Sequence, residues 1–264
     1  MGRNPFWAAL DAVLVVRTEK DSSGHPEWSW KAYVPHGVPV HELPPVPVPL
    51  PEGDWDKERF RKERRKAARV LGHQAALTLA SSFHFSRFMI VEEECRFRLP
   101  VIGSTARMLG QLLKGCRERT ALFFSEPLLS PHTACSVAKG EKSILLRVTD
   151  MAASAAYVMD LSLCERILLS LPSDQRVWPW LRYYGSLEEW FARYLGRYGD
   201  LYALSPAFVS CGEGAPMPSL CKSLGHFNNA RTKYTDLSYL VNPAVNSWRW
   251  LKNVNIFSGR KRLG

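Results

Sequence analysis

A mixed α+β fold is what the sequence predicts, with a basic helix packed on a small β-rich core and a helical and irregular C-terminal part. Three observations carry this expectation. Short apolar, partly β-branched runs recur, a helical apolar period occupies residues 55–79, and Pro and Gly concentrate after Ser205. At 264 residues and 46% hydrophobic composition, the chain can bury a sizeable core without disulfide or metal staples. The expected organisation is a β-rich segment with a Pro-rich connector over 1–52, the basic helix with an α+β core over 53–204, and a basic C-terminal region over 205–264.

From the N-terminus, residues 6–17 are apolar and end in the β-branched run Ala12-Val-Leu-Val-Val16, while residues 28–34 alternate aromatic and polar side chains. Two strands are expected there, paired with one another across the polar break at 18–25. Residues 35–51 contain seven prolines, and so many missing N–H donors predict an extended connector. Asp54 is the expected N-cap of a helix over 55–79, whose buried stripe is Phe60, Ala67, Leu71, Ala75 and Leu79. Lys62, Arg65 and Arg69, with the nearby Arg61 and Lys66, fall off that stripe and should form an exposed ridge, and Arg64 is expected to bind nucleic acid with them.

Strand character follows over 83–99 and is closed by Pro100; the acidic triplet Glu92, Glu93, Glu94 reads as a solvated strand edge. A helix is expected over 104–117, buried strands over 121–124 and 143–148, and a turn-rich stretch over 130–140 between them. Residues 152–171 are compatible with helix up to Pro172, and 187–195 form a short amphipathic helix with Leu187, Trp190, Phe191, Tyr194 and Leu195 facing inward. Residues 205–220 read as loop.

The net charge of +10 is unevenly placed. Residues 55–69 carry +5, residues 222–264 carry +7, and the rest of the chain is slightly acidic at −2. Like charges placed together repel unless a polyanion relieves them, and nucleic acid is the partner that fits. Within the tail, Asn228, Asn229 and Arg231 supply base-edge donors. Trp248 and Trp250 supply stacking rings, and Lys233, Arg249, Lys252, Arg260, Lys261 and Arg262 supply phosphate cations. No run approaches eighteen apolar residues, and 1–16 lacks the features of a signal peptide, so a cytoplasmic protein is expected. Cys95, Cys116, Cys135, Cys164, Cys211 and Cys221 form no C-x-x-C pair and read as reduced thiols, with Cys211, Cys221 and His226 the one irregular candidate metal set.

Signals for catalysis are sparse. The stretch from Gly103 to Gly110 is glycine-flanked but lacks the Gly-Lys-Ser/Thr ending of a P-loop, and no cofactor is expected. His36, beside Gly37 and near Tyr33, is the candidate base for a metal-free RNA cleavage, and His226 a second. Neither has an evident partner for acid and base duties, so the expectation is a binding protein and not an enzyme.

Across 121–147 the order is a strand, a pair of prolines, a small-residue strand, a Lys-containing turn and an apolar strand ending in Arg147. This resembles the Cas large-subunit-like proteins of type IV CRISPR effector complexes. The resemblance implies a non-catalytic, antiviral-defence subunit of a crRNA-guided ribonucleoprotein. Its partners would be crRNA, target double-stranded DNA and the other effector subunits, and it would help recognise the short flanking motif (PAM) and bind the duplex. Such proteins carry an N-terminal zinc-finger-like cysteine set that this sequence lacks. Two alternatives stay open: a CRISPR repeat RNA-processing endonuclease, and a plasmid or phage DNA-binding structural protein.

Overall fold

The run Ala12–Val16 forms strand β1, with every side chain buried. In a computed structural model, residues 4–17, 33–51, 56–97, 99–115, 118–125, 134–141 and 143–211 are described. The chain divides into two units, Met1–Ala215 and Pro216–Gly264, and every described element belongs to the first.

β1 is paired on one side with β2 (Val40–Leu43) and on the other with β3 (Arg87–Glu92), both parallel. Further strands are β4 (Cys95–Phe97), β5 (Thr120–Phe123), β6 (Ala134–Lys139), β7 (Ile144–Val148), β8 (Ala156–Asp160), β9 (Asp200–Ser205) and β10 (Val209–Cys211). Eight of them make one mixed sheet in the order β2-β1-β3-β8-β5-β9-β7-β6, and β4 pairs with β10 in a separate antiparallel ribbon. The helices are α1 (Lys57–Ser82), α2 (Gly103–Gly115), α3 (Leu161–Leu168), α4 (Val177–Tyr184) and α5 (Leu187–Tyr194). The expected mixed α+β fold is therefore present, built on a larger sheet than the small core foreseen.

Successive strand side chains point to opposite faces, and the two cores follow that period. Leu14, Phe88, Ile90, Phe123, Tyr157 and Met159 pack with α1, α3, α4 and α5 on one face. Val13, Val15, Met89, Val91, Leu122 and Val158 pack on the other with α2 and the turn at Phe6 and Trp7. Because both faces are covered, the central strands read as continuous apolar runs.

Several expectations need correction. The N-terminal segment is not separate, since β1 and β2 belong to the same sheet as the core. β1 finds its partner inside the proline-rich stretch: β2 lies at the sheet edge, bounded by Pro39 and Pro44, where a missing N–H can be tolerated. Beyond β2 the connector is a packed strap, with Val46 and Val48 against the first core and the Pro49 carbonyl accepting from Trp178 Nε1 at 2.9 Å. Most of the expected strand over 28–34 lies outside the described residues, and its last two, Tyr33 and Val34, are not strand.

The stretch 152–171 divides into β8 and α3 and is not one helix. Asp160 marks the division, its carboxylate accepting from Leu163 N as the α3 N-cap and from Thr120 N on β5. The turn-rich 130–140 contains β6, paired with β7, and 205–220 contains β10.

Candidate nucleic-acid interface and the buried cluster behind it

α1 begins at Asp56, whose carboxylate accepts from Arg59 N at 2.8 Å, two residues after the cap expected at Asp54. Its buried residues are Ala67, Ala68, Val70, Leu71, Gly72, His73, Ala76, Leu77 and Ala80, so burial is concentrated in the last two thirds. Gly72 marks the closest approach to the sheet, since a Cβ there would meet Val16 Cγ1 at 2.5 Å. Val16 is the last residue of β1.

α1 joins parallel strands and must run back against them, so its N-terminus lies beyond their carboxyl ends. Its 26 residues span about 39 Å at the helical rise. The five residues of β1 span only about 17 Å. The basic N-terminal half therefore overhangs the carboxyl edge of β1 and β3, where ligands of open α/β sheets collect.

On this overhang Arg61, Lys62, Arg64 and Arg65 are exposed. At about 100° per residue they occupy one sector of roughly 160°, on the side of α1 that Gly72 and Arg69 also share, and they are exposed because this part of the helix lies ahead of the strands. Lys66 is half-buried and paired with Glu63 at 2.9 Å. Arg69 does not belong to the ridge. Its guanidinium turns inward, with Nε 3.2 Å from Glu92 and an Nη 2.8 Å from Glu188.

Arg69 enters a cluster that the sequence reading did not foresee. His73 follows it by one helical turn on the same side of α1. Glu92 closes β3, Ser154 precedes β8, Tyr157 lies on β8, and Glu188 sits in the first turn of α5. His73 and Glu92 are buried, and Ser154 Oγ lies 2.8 Å from Glu92 and 2.9 Å from Glu188. A hydroxyl has one proton and can donate to one carboxylate at a time, so Arg69 is the constant counter-charge of the pair.

Burial alone would raise the Glu92 pKa. The Arg69 charge, the His73 hydrogen bond and charge, and the Ser154 hydroxyl reverse that and lower it to about 2. Burial likewise opposes ionisation of Glu188, yet Arg69 and the backbone N–H of Glu188 itself hold its pKa below the ordinary value. An ionised Glu92 only accepts, so His73 Nε2, 3.1 Å away, carries the hydrogen. The Tyr157 hydroxyl lies 2.9 Å from His73 Nδ1, and its pKa is raised first by burial and then by Cys164 and Glu92.

This arrangement joins α1, β3, the approach to β8, and α5 around one guanidinium. It presents no proton-transfer group to solvent, because His73 is wholly buried and Glu92 is a very weak base. What it does chemically is anchor the root of the overhanging helix. The signal for it was faint. Arg69 and His73 form an i, i+4 polar pair on an otherwise apolar helix face, and Glu92 ends the run Phe-Met-Ile-Val.

The other predicted residues are scattered. Of the acidic triplet only Glu94 is exposed; Glu93 is half-buried and 3.2 Å from Arg17, and Glu92 is buried, which corrects the solvated-edge reading. His36 lies exposed in a turn before β2. Gly110 is needed for packing: a Cβ there would meet the Pro5 carbonyl oxygen at 2.8 Å. Asn228, Asn229, Arg231, Lys233, Arg249, Lys252, Arg260, Lys261 and Arg262 lie outside the described residues, as do Cys221 and His226. An open groove of about 700 Å³ between β2 and the second half of α1 is lined by His41, Leu43, Gln74 and Thr78, and by Glu42, which is tied to Arg17. It holds none of the basic ridge. Among the described residues, no helix is long and apolar enough to cross a membrane.

No family model and no curated protein matches this chain.

Proposed function

We propose that the chain binds nucleic acid by laying the exposed face of α1 along a phosphate backbone, as a subunit that grips and does not cut. The supporting observation is the overhang: Arg61, Lys62, Arg64 and Arg65 lie exposed on a helix anchored one to two turns further along by the Arg69, Glu92 and Glu188 cluster. A rigid cationic helix beyond the sheet edge can meet a polyanion without repacking the core. Anchoring also lowers the ordering cost that such contacts would otherwise carry.

The finer reading follows from the resemblance to type IV Cas large-subunit-like proteins. The chain would be a non-catalytic subunit of a crRNA-guided effector complex, in contact with crRNA, target duplex and other effector subunits. The C-terminal Asn228, Asn229 and Arg231 would read the flanking motif.

The test is duplex binding as a function of salt by the wild-type chain and by the triple variant Arg61→Gln, Lys62→Gln, Arg64→Gln. Each phosphate left without its cation should reduce the slope of log affinity against log salt by roughly 0.9, close to three for the variant. Its melting transition should not move, because these side chains lie off the core. An unchanged slope would refute the assignment of α1. A panel of duplexes differing only at one flanking motif, and a structured repeat RNA, then distinguishes motif recognition from general phosphate binding.

A further inference from the structure

α4 and α5 are unusually aromatic, and their packing orders the rings into a connected array. Trp180 and Trp190 are buried and form its floor. Tyr184 packs on Trp180 at 4.9 Å between ring centroids and meets Tyr194 edge to face at 5.4 Å. Tyr194 and Tyr198 stack on Trp190 at 6.0 and 6.1 Å. Tyr183 is outermost, 72% exposed, with its ring set perpendicular to Tyr184 at 4.6 Å.

An exposed tyrosine ordinarily loses rotamer freedom when a ligand orders it. Here Tyr183 is already braced by Tyr184, which is braced in turn by Trp180 and Tyr194.

The charge around these rings is positive. Arg197 lies over the Tyr194 ring at 5.0 Å, and Arg182, Arg193 and Arg197 are all exposed. Of the carboxylates on α5, Glu188 is taken up by Arg69, and Glu189 is paired with Arg193 at 3.3 Å. Flat π faces beside arginines suit a ligand that has both planar rings and phosphates. Bases in a duplex stack on each other and offer no free face, whereas unpaired bases do.

We propose that Tyr183 and the tyrosine array of α4 and α5 form a stacking platform for unpaired bases of a single-stranded nucleic acid, with Arg182 and Arg197 holding its phosphates. The identification of the ligand as nucleic acid rests on the reading of α1 as a phosphate-gripping helix, but the platform is a separate surface and fails separately.

The experiment is a titration of dye-labelled oligo-dT and of a duplex of equal length, followed by fluorescence anisotropy, with the full chain and its Tyr183→Ala and Tyr183→Trp variants. Removing a stacking ring should weaken oligo-dT binding by roughly 5- to 150-fold. It should leave the duplex affinity and both salt slopes unchanged, because no counterion is released by a neutral ring. Tyr183→Trp should bind oligo-dT at least as well as wild type. Equal losses on both ligands, or no loss on oligo-dT, would overturn the platform, as would a wild-type chain that binds neither. The triple variant of α1 separates the two readings: if it keeps its duplex salt slope while Tyr183→Ala loses oligo-dT, the α1 assignment fails and the platform stands.

Discussion

Replacing Glu92 by Gln keeps the shape of the side chain and removes its charge, so it isolates what the buried carboxylate contributes. The depression of its pKa from 4.5 to about 2 corresponds to roughly 3 kcal/mol of native-state stabilisation. That agrees with the roughly 3–5 kcal/mol lost when one partner of a buried ion pair is removed. Gln can still accept from His73 and Ser154 but cannot neutralise Arg69, whose Nε lies 3.2 Å away. For a unit of this size, the loss should lower the melting temperature by roughly 6–12 °C at neutral pH.

The pH dependence has a definite sign. A carboxylate with a lowered folded-state pKa contributes fully above its unfolded value of 4.5, and that contribution disappears as the pH falls toward about 2. Thermal melts of wild type and Glu92→Gln at pH 7, 5 and 3 should show a gap that is widest at pH 7 and narrows at pH 3. Glu188, shifted in the same direction, is present in both proteins and does not produce the difference. Glu94→Gln, two residues away and exposed, should stay within about 0.5 kcal/mol of wild type throughout. A gap of the same size at pH 3 and pH 7, or a Glu92→Gln protein that melts with wild type, would refute the anchoring role of the cluster.

Other variants test the placement of α1. Gly72→Ala should destabilise by about 1–3 kcal/mol despite the better helix propensity of Ala, because the added Cβ would lie 2.5 Å from Val16 Cγ1. Chemical denaturation should show part of that stability restored when Val16→Ala is added, and simple additivity would contradict the close approach of the two residues. Asp56→Ala should cost about 1 kcal/mol by removing the bond to Arg59 N and a negative charge at the helix start. An unchanged denaturation midpoint would show that the helix begins elsewhere.

Local signals were legible where one physical cause dominated. The β-branched run at Ala12–Val16, the helices near 103–115 and 187–194, and the charge of α1 could be read from period and composition, because side-chain burial repeats with the backbone. The division of 152–171 into β8 and α3 could not. Ala156–Asp160 is a strand because β3 and β5 flank it and supply its hydrogen bonds, and those partners are distant in sequence. Likewise, the prolines of 35–51 correctly indicated extended backbone but could not show that β1 would recruit Val40–Leu43 as an edge strand.

The sequence by itself determined that the chain folds as mixed α+β and that a cationic helix lies in its first third, since periodicity and charge are properties of neighbouring residues. Only the tertiary structure decided which of those cations face solvent. Arg69 has the same helical context as Arg65, yet it turns inward because β3 and α5 bring Glu92 and Glu188 beside it, and the buried Glu92 carboxylate needs a cation there to stay ionised.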